Sequence, residues 1–262
     1  MNNKLCKEQT ENIVISQTNP GRVLYFEEVT STFDKIREYD LINWLTVVSS
    51  KQTNGSGRLG RKWESPPGGV YFTLCLAPPF DVPPESVTPV CAAGNHRALS
   101  KYADCSIKWP NDIVSGGKKI CGILTRNIVF EGKITAVLVG VGININTDSF
   151  PEDLPHATSL KLISGKEINE NAVFCHVLKC ICQACTYYTY EENLRYYKAK
   201  CINTGKEVTV HFIDGRKDAN GICTDILSDG SMNVTTPNGV LNVNSGEVSV
   251  KGIYDFERND NK

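Results

Sequence analysis

The 262-residue chain predicts an α+β fold: a mixed β-sheet domain followed by a small all-β barrel. Three observations carry that expectation. Up to residue 146, apolar runs of strand length outnumber helical patterns and do not alternate with them as a doubly wound sheet requires. Residues 168–200 are mainly helical in period. After Cys201 come four short runs separated by Asp-Gly and Asn-Gly turns, the spacing of a small barrel of about 50 residues. The expected organisation is a polar tail over 1–20, a main domain over 21–200 and the barrel over 201–255.

Taken in order, Arg22-Val-Leu-Tyr-Phe26 suits a strand, and Thr30-Ser31-Thr32 offers caps for a short helix through Phe33, Ile36 and Arg37. Leu45-Thr-Val-Val48 is a second strand. A basic, glycine-rich loop spans Thr53–Gly69. Val70–Leu76 is a third strand, ended by Pro78-Pro79. Over 85–102, Val87, Val90, Cys91, Gly94, Ala98 and Leu99 recur on one helical face. Ile107-Lys-Trp109 runs into Pro110, which ends a regular ladder. Asp112–Ser115 and Lys119–Thr125 flank Gly116-Gly117, a hairpin signal because both central residues can take positive φ. Ile134–Ile145 reads as a long buried strand, and the stretch Lys133–Asn144 could pair across a twofold in a homodimer. In the later helical region Val173, Phe174, Val177, Leu178, Ile181 and Cys185 mark the inward face. The barrel strands are Val208–Ile213, Gly221–Ile226, Ser231–Thr235 and Val240–Val243.

Composition excludes several classes. With 40% hydrophobic and 22% charged residues the chain is too apolar for disorder. Its 28 basic and 29 acidic side chains leave a formal charge of −1, so no global field holds nucleic acid or an anionic membrane. The apolar stretches Ala136–Ile145 and Val173–Cys185 fall short of the roughly 18 residues a spanning helix needs. Met1–Glu8 is polar, with no secretory apolar region. Eleven cysteines, an odd count at irregular spacing, read as reduced thiols in the cytoplasm. Cys182-Gln-Ala-Cys185 is a CxxC without a second pair at finger spacing, and it sits in an apolar helical pattern, so buried thiols are the reading.

Gly55-Ser-Gly57-Arg58-Leu-Gly60-Arg61-Lys62-Trp63 formally matches GxGxxG, but Ser65-Pro66-Pro67-Gly68 cannot supply the helix a dinucleotide site needs. No kinase loop or Walker A sequence occurs. What survives is a flexible backbone beside Arg58, Arg61 and Lys62, able to cradle phosphate or carboxylate, with Trp63 as a stacking face. Composition alone leaves a solvated loop equally open. Lys108-Trp109-Pro110-Asn111-Asp112, Lys118-Lys119-Ile-Cys-Gly122 and Gly140-Val-Gly142-Ile-Asn144-Ile-Asn146 each admit a ligand contact or a plain turn.

Together these segments resemble the biotin protein ligase family. Glu28-Val-Thr-Ser31-Thr32, Gln52 with Gly55-x-Gly57-Arg58-x-Gly60-Arg61-x-Trp63-x-Ser65-Pro66, Lys108–Asp112, Lys119-x-x-Gly122-Ile-Leu and Gly140-x-Gly142-Ile-Asn144 stand in the family's order, from about Leu24 to Val250. The form resembled lacks an N-terminal DNA-binding domain: about 20 residues precede the first strand, too few for a helix-turn-helix, so no nucleic-acid partner is expected.

The resemblance implies the mixed-sheet catalytic fold of the biotin/lipoate ligase type. It also implies two half-reactions: biotin and ATP, with Mg2+, give biotinyl-5′-AMP, and a lysine of a biotin carboxyl carrier domain then takes the biotin. No tightly bound prosthetic group is expected. Ser31, Thr32 and Gln52 match ureido-binding positions. Gly55, Ser56, Gly57 and Arg58 match the loop that closes over biotin, with Gly122 beside it. Arg58 and Arg61 match phosphate-facing arginines, Trp63 the adenine-packing residue, and Asn111 and Asn144 nucleotide contacts. Lys119 matches the lysine between carboxylate and α-phosphate, the expected main catalytic group, and Asp112 a helper for the incoming amine or the metal. Two positions depart from the family. Ser56 stands where many relatives carry a cation, a loss of about 1.5–3 kcal/mol of charged hydrogen bonding, and Phe33 stands where a polar residue often follows the Ser-Thr pair. A lipoate or other acyl-carrier ligase of the same fold, or a non-catalytic biotin or nucleotide sensor, remain the alternatives.

Overall fold

A computed structural model of the chain describes Lys4, residues 21–245 and residues 248–251. The expected tail, Lys4 apart, and the barrel's last expected positions, 252–255, lie outside the described residues.

Seven strands form the main sheet: β1 Val23–Val29, β2 Thr46–Gln52, β5 Gly69–Leu76, β6 Ser106–Lys108, β7 Asp112–Ser115, β8 Lys118–Phe130 and β9 Lys133–Asn144, in the order β1-β2-β5-β9-β8-β7-β6. The β1–β2 pair is parallel and the others are antiparallel, so the sheet is mixed, as expected. The hairpin between β7 and β8 turns at Gly116 and Gly117, whose φ values of 53° and 70° only glycine adopts without strain. β9 is an interior strand. Over Val137–Asn144 it pairs with β5, and over Lys133–Ile143 with β8. Both its edges are occupied from Val137 onward, so that part of the stretch Lys133–Asn144 is not the free edge that pairing across a twofold requires.

Side chains alternate between the two faces of these strands. On one face Phe72, Leu74, Val139, Val141 and Ile143 pack against helices α2 (Val87–Leu99), α4 (Glu170–Thr186) and α5 (Tyr190–Lys200). Gly94 allows the close crossing of α2 and α4, since a Cβ there would lie 2.8 Å from the Ile181 Cα. Cys182 and Cys185 are buried within this layer, which supports the packing reading of the CxxC. The mainly helical region over 168–200 holds two helices. Thr189 starts the second with a reciprocal capping box to Glu192. A five-residue helix, α3 (Leu160–Ser164), was not expected. Ser159 caps its start, and Gly165 ends it at φ 72°.

The other face is covered by a smaller cluster around α1 (Thr32–Lys35, continued by a 3-10 turn through Glu38), in which Phe33, Ile36, Leu45, Val47 and Leu138 are buried. The functional cavity lies beside this cluster.

The C-terminal region forms a five-stranded antiparallel sheet: β10 Glu207–Phe212, β11 Ala219–Ile226, β12 Met232–Thr236, β13 Gly239–Val243 and β14 Val248–Lys251, in the order β13-β12-β11-β10-β14. This is the small β domain, with one strand more than the four its sequence suggests. Its apolar side, including Val208, Val210, Cys223 and Met232, joins the core that holds Ile107 and Trp109. Trp109 fastens the junction: its backbone N–H donates to Asn203 Oδ1 at 2.8 Å, and its indole N–H donates to the Gly230 carbonyl at 3.0 Å. Among the described residues no helix is long and apolar enough to cross a membrane.

Candidate functional site

The glycine-rich segment is a folded hairpin rather than an open loop. Gly55–Ser56 (β3) pairs antiparallel with Lys62–Trp63 (β4), and a 3-10 turn at Arg58–Gly60 joins them. Leu59 sits at φ 56°, a left-handed conformation unfavourable for a side-chain-bearing residue. The hairpin roofs a cavity of about 280 Å3 whose floor is the open face of β8 and β9.

The floor is made by register. Asp112 of β7, Gly122 of β8, Gly142 of β9 and Tyr71 of β5 are successive cross-strand partners, and Lys108 of β6 extends the row beyond Asp112. Two adjacent glycines leave a trough. The Trp63 indole lies in it: a Cβ on Gly142 would come within 2.5 Å of the ring, and one on Gly122 would come equally close. Two residues along β9, Gly140 gives the same clearance to the Phe33 ring, at 2.2 Å. Phe33 therefore packs, as its apolar character suggests, with the Arg126 guanidinium 4.7 Å from its ring centroid.

The charged wall gathers at the other end of the row. Lys119 Nζ lies 2.7 Å from Asp112 Oδ1 and 4.8 Å from the centroid of a Trp63 ring. Arg58 donates to Asn111 Oδ1 at 3.3 Å and to the carbonyl of Ser245, which ties the hairpin to the small β domain. Burial lowers the Arg58 pKa, with Asp112 opposing and Arg61 adding to the effect. Lys108 is only 6% exposed. Burial pushes its ammonium down to about 8. Lys119, Arg58 and Arg61 push in the same direction, and Asp112 opposes them. Lys119, Arg58 and Arg61 gather around Asp112 in this part of the cavity, with Lys108 buried beside them, in a chain whose net charge is near zero.

The polar end is built from hydrogen bonds. Thr32 donates to Gln52 Oε1 through its backbone N–H at 2.8 Å and its hydroxyl at 3.1 Å. The backbone donor fixes the Gln52 amide: its oxygen must face Thr32 and its nitrogen the other way, where it donates to Ser65 Oγ at 3.0 Å.

Of the residues expected from sequence, Thr32, Gln52, Ser56, Gly57, Arg58, Arg61, Trp63, Asn111, Asp112, Lys119, Gly122 and Asn144 line the cavity. Ser31 and Gly55 do not. Ser31 is buried and caps α1, accepting from the Phe33 N–H at 3.2 Å, and Gly55 lies behind the wall. Asn144 reaches the cavity, but its amide is spent on backbone, donating to the Thr158 carbonyl at 3.0 Å and to that of Lys119 at 3.4 Å. Asn111 likewise donates to the Ile123 carbonyl at 2.5 Å. Asn146 faces Ile168 and Glu170, a turn contact. Sequence reasoning missed Phe150, Leu154 and Ala157, which form an apolar side of the cavity, and it passed over the burial of Lys108, the cross-strand partner of Asp112. Among the described residues, no group of three or more His, Cys, Asp or Glu side chains is arranged to hold a metal ion.

Comparison with known proteins agrees with this architecture. Residues 23–144, which supply the whole sheet and the roofing hairpin, match the family model described as the Biotin/lipoate A/B protein ligase family. The bifunctional ligase/repressor BirA of Bacillus subtilis is 36% identical over 173 residues, 61% of this chain and 53% of that protein. The chain thus spans about half the length of the first curated relatives it matches. The biotin--[acetyl-CoA-carboxylase] ligase of Mycobacterium tuberculosis is 25% identical over 219 residues, 79% of each chain. A solved structure of the Aquifex aeolicus biotin protein ligase, in complex with biotin and ATP, superposes with a TM-score of 0.77 at 29% identity, covering 87% of this chain and 98% of that one. Motif order and overall fold converge on the same likeness: over residues 23–144 the chain is similar to the biotin/lipoate A/B protein ligase family.

Proposed function

We propose that the protein is an ATP-dependent biotin–protein ligase, acting in the cytoplasm through a catalytic unit over 21–200 and a small β domain over 201–255. The observation that carries this reading is the pairing of two unlike ends in one cavity. One end is a crowded cation cluster of Lys119, Arg61 and Arg58, with Arg58 held below its ordinary pKa and Lys108 buried beside it. The other is the neutral Thr32–Gln52 edge. Positive groups that repel one another in the empty site are relieved by anions, and a carboxylate meeting an α-phosphate needs that compensation. At the neutral end the Gln52 oxygen is fully engaged, so the pair offers a spare N–H and a spare hydroxyl lone pair. That set complements the adjacent C=O and N–H of a cyclic urea. A lipoyl ring carries neither group, which favours biotin over lipoate.

In the first half-reaction a biotin carboxylate oxygen bonds to the α-phosphorus of ATP and pyrophosphate leaves. Lys119 and Arg58 hold the two reacting anions together. In the second, the amine of a carrier-domain lysine attacks the mixed anhydride and AMP leaves, with Asp112 placed to receive the amine proton. Mg2+ would offset charge on the leaving pyrophosphate, and the residues present fit its arrival on the ATP phosphates better than a protein-built site. The partners are then biotin, ATP and biotin carboxyl carrier domains.

The test is incubation with ATP, Mg2+, a carrier domain and labelled biotin or labelled lipoate. Label on the carrier with biotin alone supports the reading. Label with lipoate instead overturns the substrate, and binding of biotin without transfer leaves a sensor.

A further inference from the structure

Resting on the ligase reading, we infer that Thr73 and Ser65 are positioning residues that hold the Thr32 hydroxyl and the Gln52 amide in place, in the direction that the Thr32 backbone N–H sets. Thr73, fully buried on β5, donates its hydroxyl to Thr32 Oγ1 at 2.8 Å. Thr32 passes its own hydroxyl proton to Gln52 Oε1, Gln52 Nε2 donates to Ser65 Oγ, and Ser65 donates to the Trp63 carbonyl at 3.2 Å. The chain therefore runs in one direction from the sheet to the roofing hairpin, Thr73 to Thr32 to Gln52 to Ser65 to Trp63. Its polarity leaves Thr32 as an acceptor toward a ligand and Gln52 as a donor.

Gly55 is explained by the same chain. A Cβ there would lie 2.8 Å from Ser65 Oγ, 2.9 Å from Gln52 Nε2 and 2.5 Å from the Trp63 carbonyl oxygen, so any side chain would wedge the relay apart. The glycine absent from the cavity wall is the clearance for the bonds behind it. Neither Thr73 nor Ser65 lines the cavity.

The experiment compares the full-length wild type with Thr73→Val, Ser65→Ala and Thr73→Ser in biotin-dependent ATP–pyrophosphate exchange. Valine keeps the threonine shape and removes only the donor. Each of the first two variants is expected to raise the biotin KM about five- to tenfold, the effect of one hydrogen bond, with kcat and the ATP KM within about twofold. Thr73→Ser, which restores the hydroxyl, returns to the wild-type KM. An unchanged biotin KM in both variants, or Thr73→Ser as impaired as Thr73→Val, overturns the inference while leaving the ligase reading intact. A wild type that activates no biotin overturns both.

Discussion

Replacing Lys108 by Met should stabilise the protein at neutral pH and lose that advantage as the pH rises. Lys108 is 6% exposed, and its ammonium is moved from an ordinary 10.5 to about 8, first by burial and then by Lys119, Arg58 and Arg61. At roughly 1.4 kcal/mol per pH decade this displacement corresponds to about 3 kcal/mol against the folded state. Below pH 8 the folded and unfolded chains both carry the proton, and folding bears the full cost. Between 8 and 10.5 the unfolded chain binds more protons than the folded one, so rising pH favours folding. Above 10.5 neither carries the charge and the cost is gone. Urea unfolding of wild type and Lys108→Met across pH 7–10.5 reads the difference, and groups common to both proteins cancel. The variant should be more stable by about 3 kcal/mol at pH 7, converging on the wild type near pH 10.5. A difference that stays constant with pH, or widens above pH 8, refutes the claim that the charged form of Lys108 is held at a cost to the fold. The same variant should activate biotin more slowly, because a destabilising charge kept beside a site that gathers anions is the expected trade between stability and activity.

Other expectations follow from the cavity. Lys119→Ala should lower adenylate formation by at least about a hundredfold, since the carboxylate and α-phosphate then meet without their central cation; near-normal pyrophosphate exchange would remove Lys119 from the chemistry. Arg58→Ala should let the activated intermediate escape, raising biotin on bystander lysines in mass spectra. An unchanged level would show that the Arg58 contacts to Asn111 and Ser245 close nothing. Gly142→Ala should keep the sheet, with an unchanged far-ultraviolet circular dichroism spectrum, but expel the Trp63 indole from its trough. The expected signature is a red-shifted tryptophan emission and a loss of activation. An unshifted emission would mean that the ring does not rest on Gly142.

The apolar runs made most strands legible because burial on both faces leaves few polar residues, as over Val70–Leu76 and Ala136–Ile145. The Gly116-Gly117 turn was equally plain, since positive φ at both positions singles out glycine. The start of the last helix was not singled out even though Thr189-Tyr-Glu-Glu192 spells a capping box, because that helix buries only Asn193, Leu194 and Tyr197 and shows little apolar period. β14 and α3 are short, with too few residues for a period to register. In the site, the cationic and glycine residues were readable from their motifs. The trough was not, for it arises when register sets Gly122 beside Gly142 across two strands. Phe150, Leu154 and Ala157 lie in an irregular segment without periodicity. Thr73 hides in an apolar strand, and the burial of Lys108 depends on packing that no local pattern encodes. The central place of β9 was hidden for a related reason: sequence shows a strand's character but not its place in the sheet.

The central claim is that a glycine-floored cavity with one cationic and one urea-complementary end joins a carboxylate to an adenylate. A crystal structure of the full chain with biotin and a non-hydrolysable ATP analogue tests it most directly. The account predicts the ureido ring on Thr32 and Gln52, and the biotin carboxylate and α-phosphate together within hydrogen-bonding reach of Lys119 and Arg58. A ligand seated elsewhere, or a Lys119 still paired with Asp112 and turned from the reacting atoms, would contradict it.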